Sequence, residues 1–146
     1  MTSSIKTQSG TDTPLCRTVL EFVAIMKRLV DQAKQPGFTA ANWAPLGERV
    51  AQNEFERVGV AREAMGWHRY TEFLTEWACA SEWEPSFRRI HEWSGVVFLE
   101  LEERSVTGGR RDVINSLSVY AFNDAGKLHH LDVYMQSPAF MRGTSA

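Results

Sequence analysis

Three titratable residues lie in C-terminal segments whose other residues are mostly apolar, as is typical of β-strands. They are Glu103, His130 and Asp132. A charged side chain within a strand needs solvent or a polar cavity, because burial without a partner is costly. Two carboxyl groups in one apolar cavity repel each other, so one keeps its proton while the other accepts one. The pattern therefore favours general acid–base chemistry on an uncharged substrate.

Regular alternation divides the side chains of the last predicted strand between two faces. One face carries His130, Asp132 and Tyr134. The opposite face is apolar and consists of Leu131, Val133 and Met135. Either face could line a cavity. In the alternative arrangement, Asp132 faces solvent and pairs with His130 or an arginine, and Glu103 is solvated at the end of a hairpin.

Composition limits the class of partner. The chain has 146 residues, a formal net charge of -2 and a pI of about 6.1. Without a basic field to attract phosphates, neither nucleic acid nor an anionic membrane is expected as a partner. The expected partner is a small apolar molecule or another protein.

The sequence contains none of the common metal or redox motifs. Cys16 and Cys79 have no CxxC spacing, and the four histidines have no HExxH spacing. We therefore predict no metal and no cofactor, with both cysteines reduced and buried in helices. Residues 1–13 lack the apolar stretch of a secretion signal, and no apolar run reaches the ~18 residues of a membrane span. These features predict a cytoplasmic protein.

The order of the predicted elements indicates an α+β domain. Apolar residues at steps of three and four predict helices, alternation predicts strands, and Gly108-Gly109 predicts a hairpin turn. Pro85 is expected to separate the last helix from the strand that follows. A further short strand could precede that helix. The predicted elements are helix 14–34, helix 39–46, strand 49–59, helix 66–80, and strands 86–93, 96–103, 112–122 and 127–136.

Helices followed by a strongly bent, mostly antiparallel sheet predict a cone with one open end, covered by the long N-terminal helix and two shorter helices. This order, together with the closing run 119–128 and Leu131-Asp132-Val133-Tyr134, resembles the NTF2-like superfamily. That group includes SnoaL-like cyclases, limonene-epoxide hydrolase and ketosteroid isomerase. The resemblance covers a single domain, residues 14–136, between tails at residues 1–13 and 137–146.

The resemblance implies which face of the closing strand meets the pocket. The NTF2-like enzymes place the aspartate of this strand toward the pocket, which would bring Asp132, His130 and Tyr134 inside. The two preceding strands would then contribute Leu99, Leu101, Glu103, Ile114, Ser116, Ser118 and Tyr120.

Comparison with limonene-epoxide hydrolase implies a water-activating site. Asn53 falls where that enzyme has its asparagine, Glu103 lies near the first acid and Asp132 matches the second. The match is incomplete, because Leu101 occupies the arginine position and Ala51 the tyrosine position. The first-helix tyrosine of ketosteroid isomerase is also missing, so Tyr120 or Tyr134 would have to donate the hydrogen bond instead.

Five residues are predicted to bind substrate. Trp93 would stack on a flat or cyclic ligand at the pocket mouth, and the others are Asn53, Tyr134, Tyr120 and Leu101. Asp132 would be the principal acid or base, assisted by Glu103 and His130. We therefore predict an acid–base enzyme that hydrolyses epoxides, isomerises or cyclises an apolar or polycyclic molecule. The alternative is a non-catalytic ligand-binding or dimerising module of the same fold.

A homodimer is expected from the resemblance, because NTF2-like proteins commonly pack the outer face of the sheet against a second copy. An exposed apolar sheet face would otherwise promote association. The residues expected on that face are Leu117, Val119, Leu131, Val133 and Met135.

Overall fold

A computed structural model describes residues 13–138, and the outer parts of the two predicted tails lie outside this range. Helix α1 spans Pro14–Gln32. Thr13 caps it, because its side-chain oxygen accepts a hydrogen bond from the Cys16 backbone N–H at 3.3 Å and proline occupies the first turn. The helix buries one apolar stripe: Cys16, Val19, Phe22, Ile25, Leu29 and Val30.

Three shorter helical segments follow α1. A 3₁₀ turn at Ala40–Trp43 continues into α2 at Ala44–Gly47, so the predicted helix 39–46 is confirmed in position but divided in two. Helix α3 spans Trp67–Ala80, close to its predicted bounds. The indole N–H of Trp43 donates to the Thr75 hydroxyl at 3.0 Å, which ties the 3₁₀ turn to α3.

Six strands form one mixed, mostly antiparallel sheet in the order β2-β1-β6-β5-β4-β3. Only the β1–β6 pair is parallel among the strand pairs of the described residues. This arrangement confirms the predicted α+β architecture, with a curved, open sheet covered on its inner face by α1. The strands are β1 Glu56–Val58, β2 Ala64–Met65, β3 Ser81–Trp93, β4 Val96–Thr107, β5 Arg110–Phe122 and β6 Leu128–Gln136.

Two strand predictions need correction. The predicted strand 49–59 is reduced to β1, because residues 52–54 form a turn. Pro85 does not precede β3 but lies inside it, opposite Glu103. An edge strand accommodates proline because one side of its backbone has no partner to bond, and β3 is the edge of the sheet.

The β4–β5 hairpin closes through Gly108-Gly109, as the sequence predicts. Both glycines have positive φ, 58° and 82°, the conformation that a two-residue hairpin turn requires. The pairing then continues without a break from Thr107 and Arg110 to Val96 and Ala121. Side chains therefore alternate regularly between the two faces along β4 and β5. Leu101, Ser118 and Tyr120 share the inner face of the sheet.

The β5–β6 pairing contains a β-bulge that reverses the predicted faces of β6. Phe122 pairs with Leu128, but the next pair is Ala121 with His130, so His129 is an extra residue. Without it, the same register would place Asp132 opposite Ser118. With it, Val133 lies opposite Ser118 and shares the inner face. The expectation that His130, Asp132 and Tyr134 face the pocket is therefore corrected.

None of the helices in residues 13–138 combines the length and the apolar content that crossing a membrane requires.

Candidate functional site

A cavity of about 190 Å³ lies between the inner face of the sheet and helices α1 and α3. Most of its wall is apolar, with a few polar groups at separate points, which is the usual composition of a small-molecule site. Its lining residues are Phe22, Val23, Met26, Arg57, Tyr70, Phe73, Leu74, Trp77, Trp83, Leu101, Glu103, Ser105, Ser118, Tyr120, Leu131, Val133 and Met135.

The carboxylate in this lining is Glu103, on β4. Its Oε1 accepts a hydrogen bond from the indole N–H of Trp83 at 2.7 Å. Trp83 is buried and is itself held by an edge-to-face contact with Trp77, with ring centroids 5.7 Å apart. Two aromatic side chains therefore fix the orientation of the carboxylate within an apolar wall.

The guanidinium in the lining is Arg57, on β1. The residue is only 8% exposed, although arginine is almost never buried without a partner. Its Cζ lies 5.4 Å from the ring centroid of Tyr70 and 5.3 Å from that of Phe73, so two rings of α3 hold it through cation–π contacts. Arg57 Nη1 also forms an ion pair with Glu63 Oε2 at 3.6 Å.

Gly59 allows Arg57 and Glu63 to approach each other. A Cβ atom at this position would lie 2.0 Å from Glu63 Oε2 and 2.8 Å from Arg57 Nη1. The turn between β1 and β2 further fixes Glu63, whose Oε1 accepts a hydrogen bond from the Ala61 backbone N–H at 3.0 Å. A residue larger than glycine would therefore displace the ion pair.

Two phenols complete the polar part of the cavity. Burial raises the pKa of Tyr70 and that of Tyr120. The charge of Glu103 acts in the same direction on both pKa values, whereas Arg57 lowers the pKa of Tyr70. Both phenols are therefore protonated at neutral pH and available as hydrogen-bond donors.

No protein-family model and no curated protein matches the chain, but solved structures do. The BvnE pinacolase from Penicillium brevicompactum has a TM-score of 0.68 at 9% identity, covering 90% of this chain and 92% of that one. An LEH-like epoxide hydrolase from M. tuberculosis has a TM-score of 0.56 at 16% identity, covering 77% and 84%. An NTF2-like protein of unknown function from Exiguobacterium sp. 255-15 has a TM-score of 0.62 at 12% identity, covering 79% and 98%.

The fold is NTF2-like. This confirms the resemblance found in the sequence. Identities this low establish the fold alone, because one fold supports many activities.

Three of the predicted site residues line the cavity of the NTF2-like cone. They are Glu103, Leu101 and Tyr120. All three lie on β4 or β5, where pairing is regular. Their predicted roles in catalysis and binding remain predictions.

The other predicted catalytic residues lie outside the cavity, because the bulge at His129 turns them to the outer face. His130 Nε2 and Asp132 Oδ1 are 3.0 Å apart, and His130 Nδ1 is 3.5 Å from Glu56 Oε1. This is the outward pairing that the sequence left open as an alternative. Tyr134 is 57% exposed on the same face and lines an edge groove with Asp132.

The remaining two predicted binding residues also lie elsewhere. Asn53 is in the turn before β1 and borders a surface groove beside Trp67. Trp93 ends β3 at a hairpin and is 76% exposed. The tryptophans that line the cavity are instead Trp77 and Trp83.

Sequence reasoning missed Arg57. In the predicted strand 49–59, Phe55 and Arg57 are two residues apart and therefore share a face, but this alternation alone does not show that the face is buried. Both are buried in the structure. Tyr70 lies in the predicted helix 66–80, where the sequence gives no separate signal for its hydroxyl.

Among residues 13–138, no group of three or more His, Cys, Asp and Glu side chains is arranged to hold a metal ion. Both cysteines are free thiols. Cys16 is buried as expected, but Cys79 is exposed.

The raised pKa of Tyr120 predicts how stability changes at high pH. Its pKa in the folded protein is above the value of about 10 in the unfolded chain. Above pH 10 only the unfolded state loses this proton, so the free energy of unfolding falls as pH rises. Tyr120→Phe removes this contribution. Between pH 9 and pH 11 the variant should lose about 1.4 kcal/mol less stability than the wild type, as measured by urea unfolding. Equal losses would contradict a buried, protonated phenol.

Proposed function

We propose that this protein is an enzyme that uses its own side chains to transfer protons on a small, largely apolar molecule. The observation that carries the proposal is Glu103, a carboxylate held by Trp83 in the wall of an apolar cavity. A carboxylate is an effective base in such a cavity because little water competes with it for the substrate proton. Charges also interact more strongly there than in water.

Glu103 would accept a proton from a substrate carbon and return it at another position. The electron pair of the broken C–H bond stays on the substrate, and the negative charge moves to a substrate oxygen. Hydrogen bonds from the protonated phenols of Tyr70 and Tyr120 would stabilise that charge as it develops. The net reaction is an isomerisation.

The volume of the cavity supports a substrate of about one ring. A cavity of roughly 150 Å³ accommodates benzene, and this one measures about 190 Å³. A polycyclic molecule, which the sequence-based prediction included, would extend beyond the cavity walls. We therefore favour a monocyclic substrate.

The carboxylate composition of the cavity favours isomerisation over epoxide hydrolysis. The hydrolase arrangement predicted from the sequence requires two acids, and the cavity lining of the described residues includes Glu103 but not Asp132. One base with nearby hydroxyl donors is sufficient to move a proton. Hydrolysis would further require a positioned water molecule, and Asn53, the residue predicted to hold it, lies elsewhere.

Replacing Glu103 with Gln tests the proposed base. The amide keeps the size of the side chain but cannot accept a substrate proton, so the rate of proton transfer should fall by about 10²-fold or more. The measurement is NMR detection of deuterium incorporation next to the carbonyl of small cyclic ketones in D₂O. Hydrolysis of small epoxides is measured in parallel.

Glu102→Gln is the matched control, because Glu102 precedes Glu103 on β4 but pairs with Arg104 outside the cavity. It should keep the wild-type rate. Equal rates for wild type and Glu103→Gln would contradict the proposed role. If the wild type binds the ketones but catalyses neither reaction, the non-catalytic binding module is the better account.

We also propose that the protein forms a homodimer through the outer face of the sheet. Leu131, Val133 and Met135 no longer support this interface, because they line the cavity. Other apolar side chains lie across the outer face in register: Phe98 opposite Val119, and Leu117 opposite Tyr134. Phe98 and Tyr134 are exposed in the single chain, and a second copy would cover them.

Val119→Glu should convert the dimer to a monomer, because each copy would bury an unpaired carboxylate in the proposed interface. Val60→Glu is the matched control, since Val60 is exposed on the turn between β1 and β2. Light scattering after size-exclusion chromatography gives the mass of each. A dimeric Val119→Glu protein, or a monomeric wild type, would refute the proposed interface.

A further inference from the structure

Two hydrogen-bond donors of Arg57, in the cavity wall, have no acceptor in the part of the chain that the structure describes. Its Nε and Nη1 atoms are buried and have no hydrogen-bond partner among the described residues. The Arg57–Glu63 ion pair, at 3.6 Å, is too long for a hydrogen bond. Buried donors without acceptors are rare in folded proteins, because each costs free energy.

The cost is greater for Arg57 because the group carries a permanent charge. Glu63 compensates it only in part, since Glu63 is partly exposed and its Oε1 is already bonded to the turn. The rings of Tyr70 and Phe73 attract the guanidinium but accept no N–H bond of ordinary strength. An acceptor supplied by a ligand would complete this environment.

Arg57 and Glu103 lie on different walls of the cavity. Their strands, β1 and β4, are separated in the sheet by β6 and β5. The charges of both residues affect the pKa of Tyr70, which Arg57 lowers and Glu103 raises. A ligand in the cavity can therefore have its oxygen near Arg57 and its carbon skeleton near Glu103.

We propose that the ligand presents an sp² oxygen, of a carbonyl or a carboxylate, to Arg57. This names the substrate class of the site and rests on the function proposed above. A hydrocarbon of the same size would fill the apolar part of the cavity but leave the guanidinium without an acceptor. An oxygen acceptor satisfies the guanidinium and anchors the substrate with its skeleton toward the base.

Isothermal titration calorimetry with three single-ring probes tests the proposal without requiring turnover. The probes are benzoate, acetophenone and toluene, which share a ring and differ in the acceptor. Benzoate or acetophenone should bind about tenfold or more tightly than toluene, as expected for a hydrogen bond from a charged donor. Which of the two binds more tightly shows whether the site accepts a charged or a neutral oxygen.

Arg57→Met should abolish this preference, because it weakens the binding of benzoate and acetophenone more than that of toluene. Its melting temperature is measured alongside, so that the loss of the preference is established on folded protein. Arg111→Met is the matched control, since Arg111 is exposed at the end of the sheet, and it should keep the preference. If Arg57→Met does not fold, Arg57→Lys keeps the charge and should retain a reduced preference.

Equal affinities of the wild type for all three probes would overturn the proposal, and so would a preference that survives in folded Arg57→Met. Neither result bears on the role of Glu103, because the Glu103→Gln experiment measures turnover and not binding. Conversely, a preference for oxygenated probes would stand even if no ketone or epoxide is turned over.

Discussion

One extra residue in β6 determines which side chains line the cavity. His129 is the bulge that moves the pairing of β5 and β6 by one position, and side chains alternate between faces at every position. As a result, Leu131 and Val133 face the cavity, while the charged pair His130–Asp132 faces outward. The cavity is apolar along this strand because of the bulge. Its polar chemistry must then come from the other walls, which supply Glu103 and Arg57.

The polar groups of the cavity are retained at a cost to stability. Glu103 and Arg57 lie among aromatic and aliphatic side chains, where charged groups are costly unless they are well paired. Trp83 compensates Glu103 with a short hydrogen bond, whereas Arg57 has two cation–π contacts and an ion pair too long for a hydrogen bond. Groups that break the rules of folding locally are typical of functional sites. The incomplete environment of Arg57 is therefore the sharpest indication of where a ligand binds.

Sequence patterns predicted most of the fold because most of its elements obey simple periodicities. The stripe of α1 and the Gly108-Gly109 hairpin follow rules that depend only on nearby residues. Leu101, Glu103 and Tyr120 were assigned to the pocket correctly in position because β4 and β5 pair without a break.

The remaining site residues could not be read from the sequence because their positions depend on tertiary pairing. A bulge at His129 has no local signature in Leu128-His129-His130-Leu131. The family resemblance therefore decides the predicted face of Asp132, and the structure places Asp132 on the opposite face. Arg57 lies on a three-residue strand held by parallel pairing with β6, a contact between segments more than 70 residues apart. Strands this short carry too little periodicity to identify a buried face.

The most direct test of this account is the NMR measurement of backbone contacts between β5 and β6. Directly opposed residues of antiparallel strands give strong Hα–Hα or HN–HN cross-peaks. The bulged register predicts such a contact between Ser118 and Val133, and another between Tyr120 and Leu131. A direct contact between Ser118 and Asp132 would contradict it, would return Asp132 to the cavity, and would restore the two-carboxylate site.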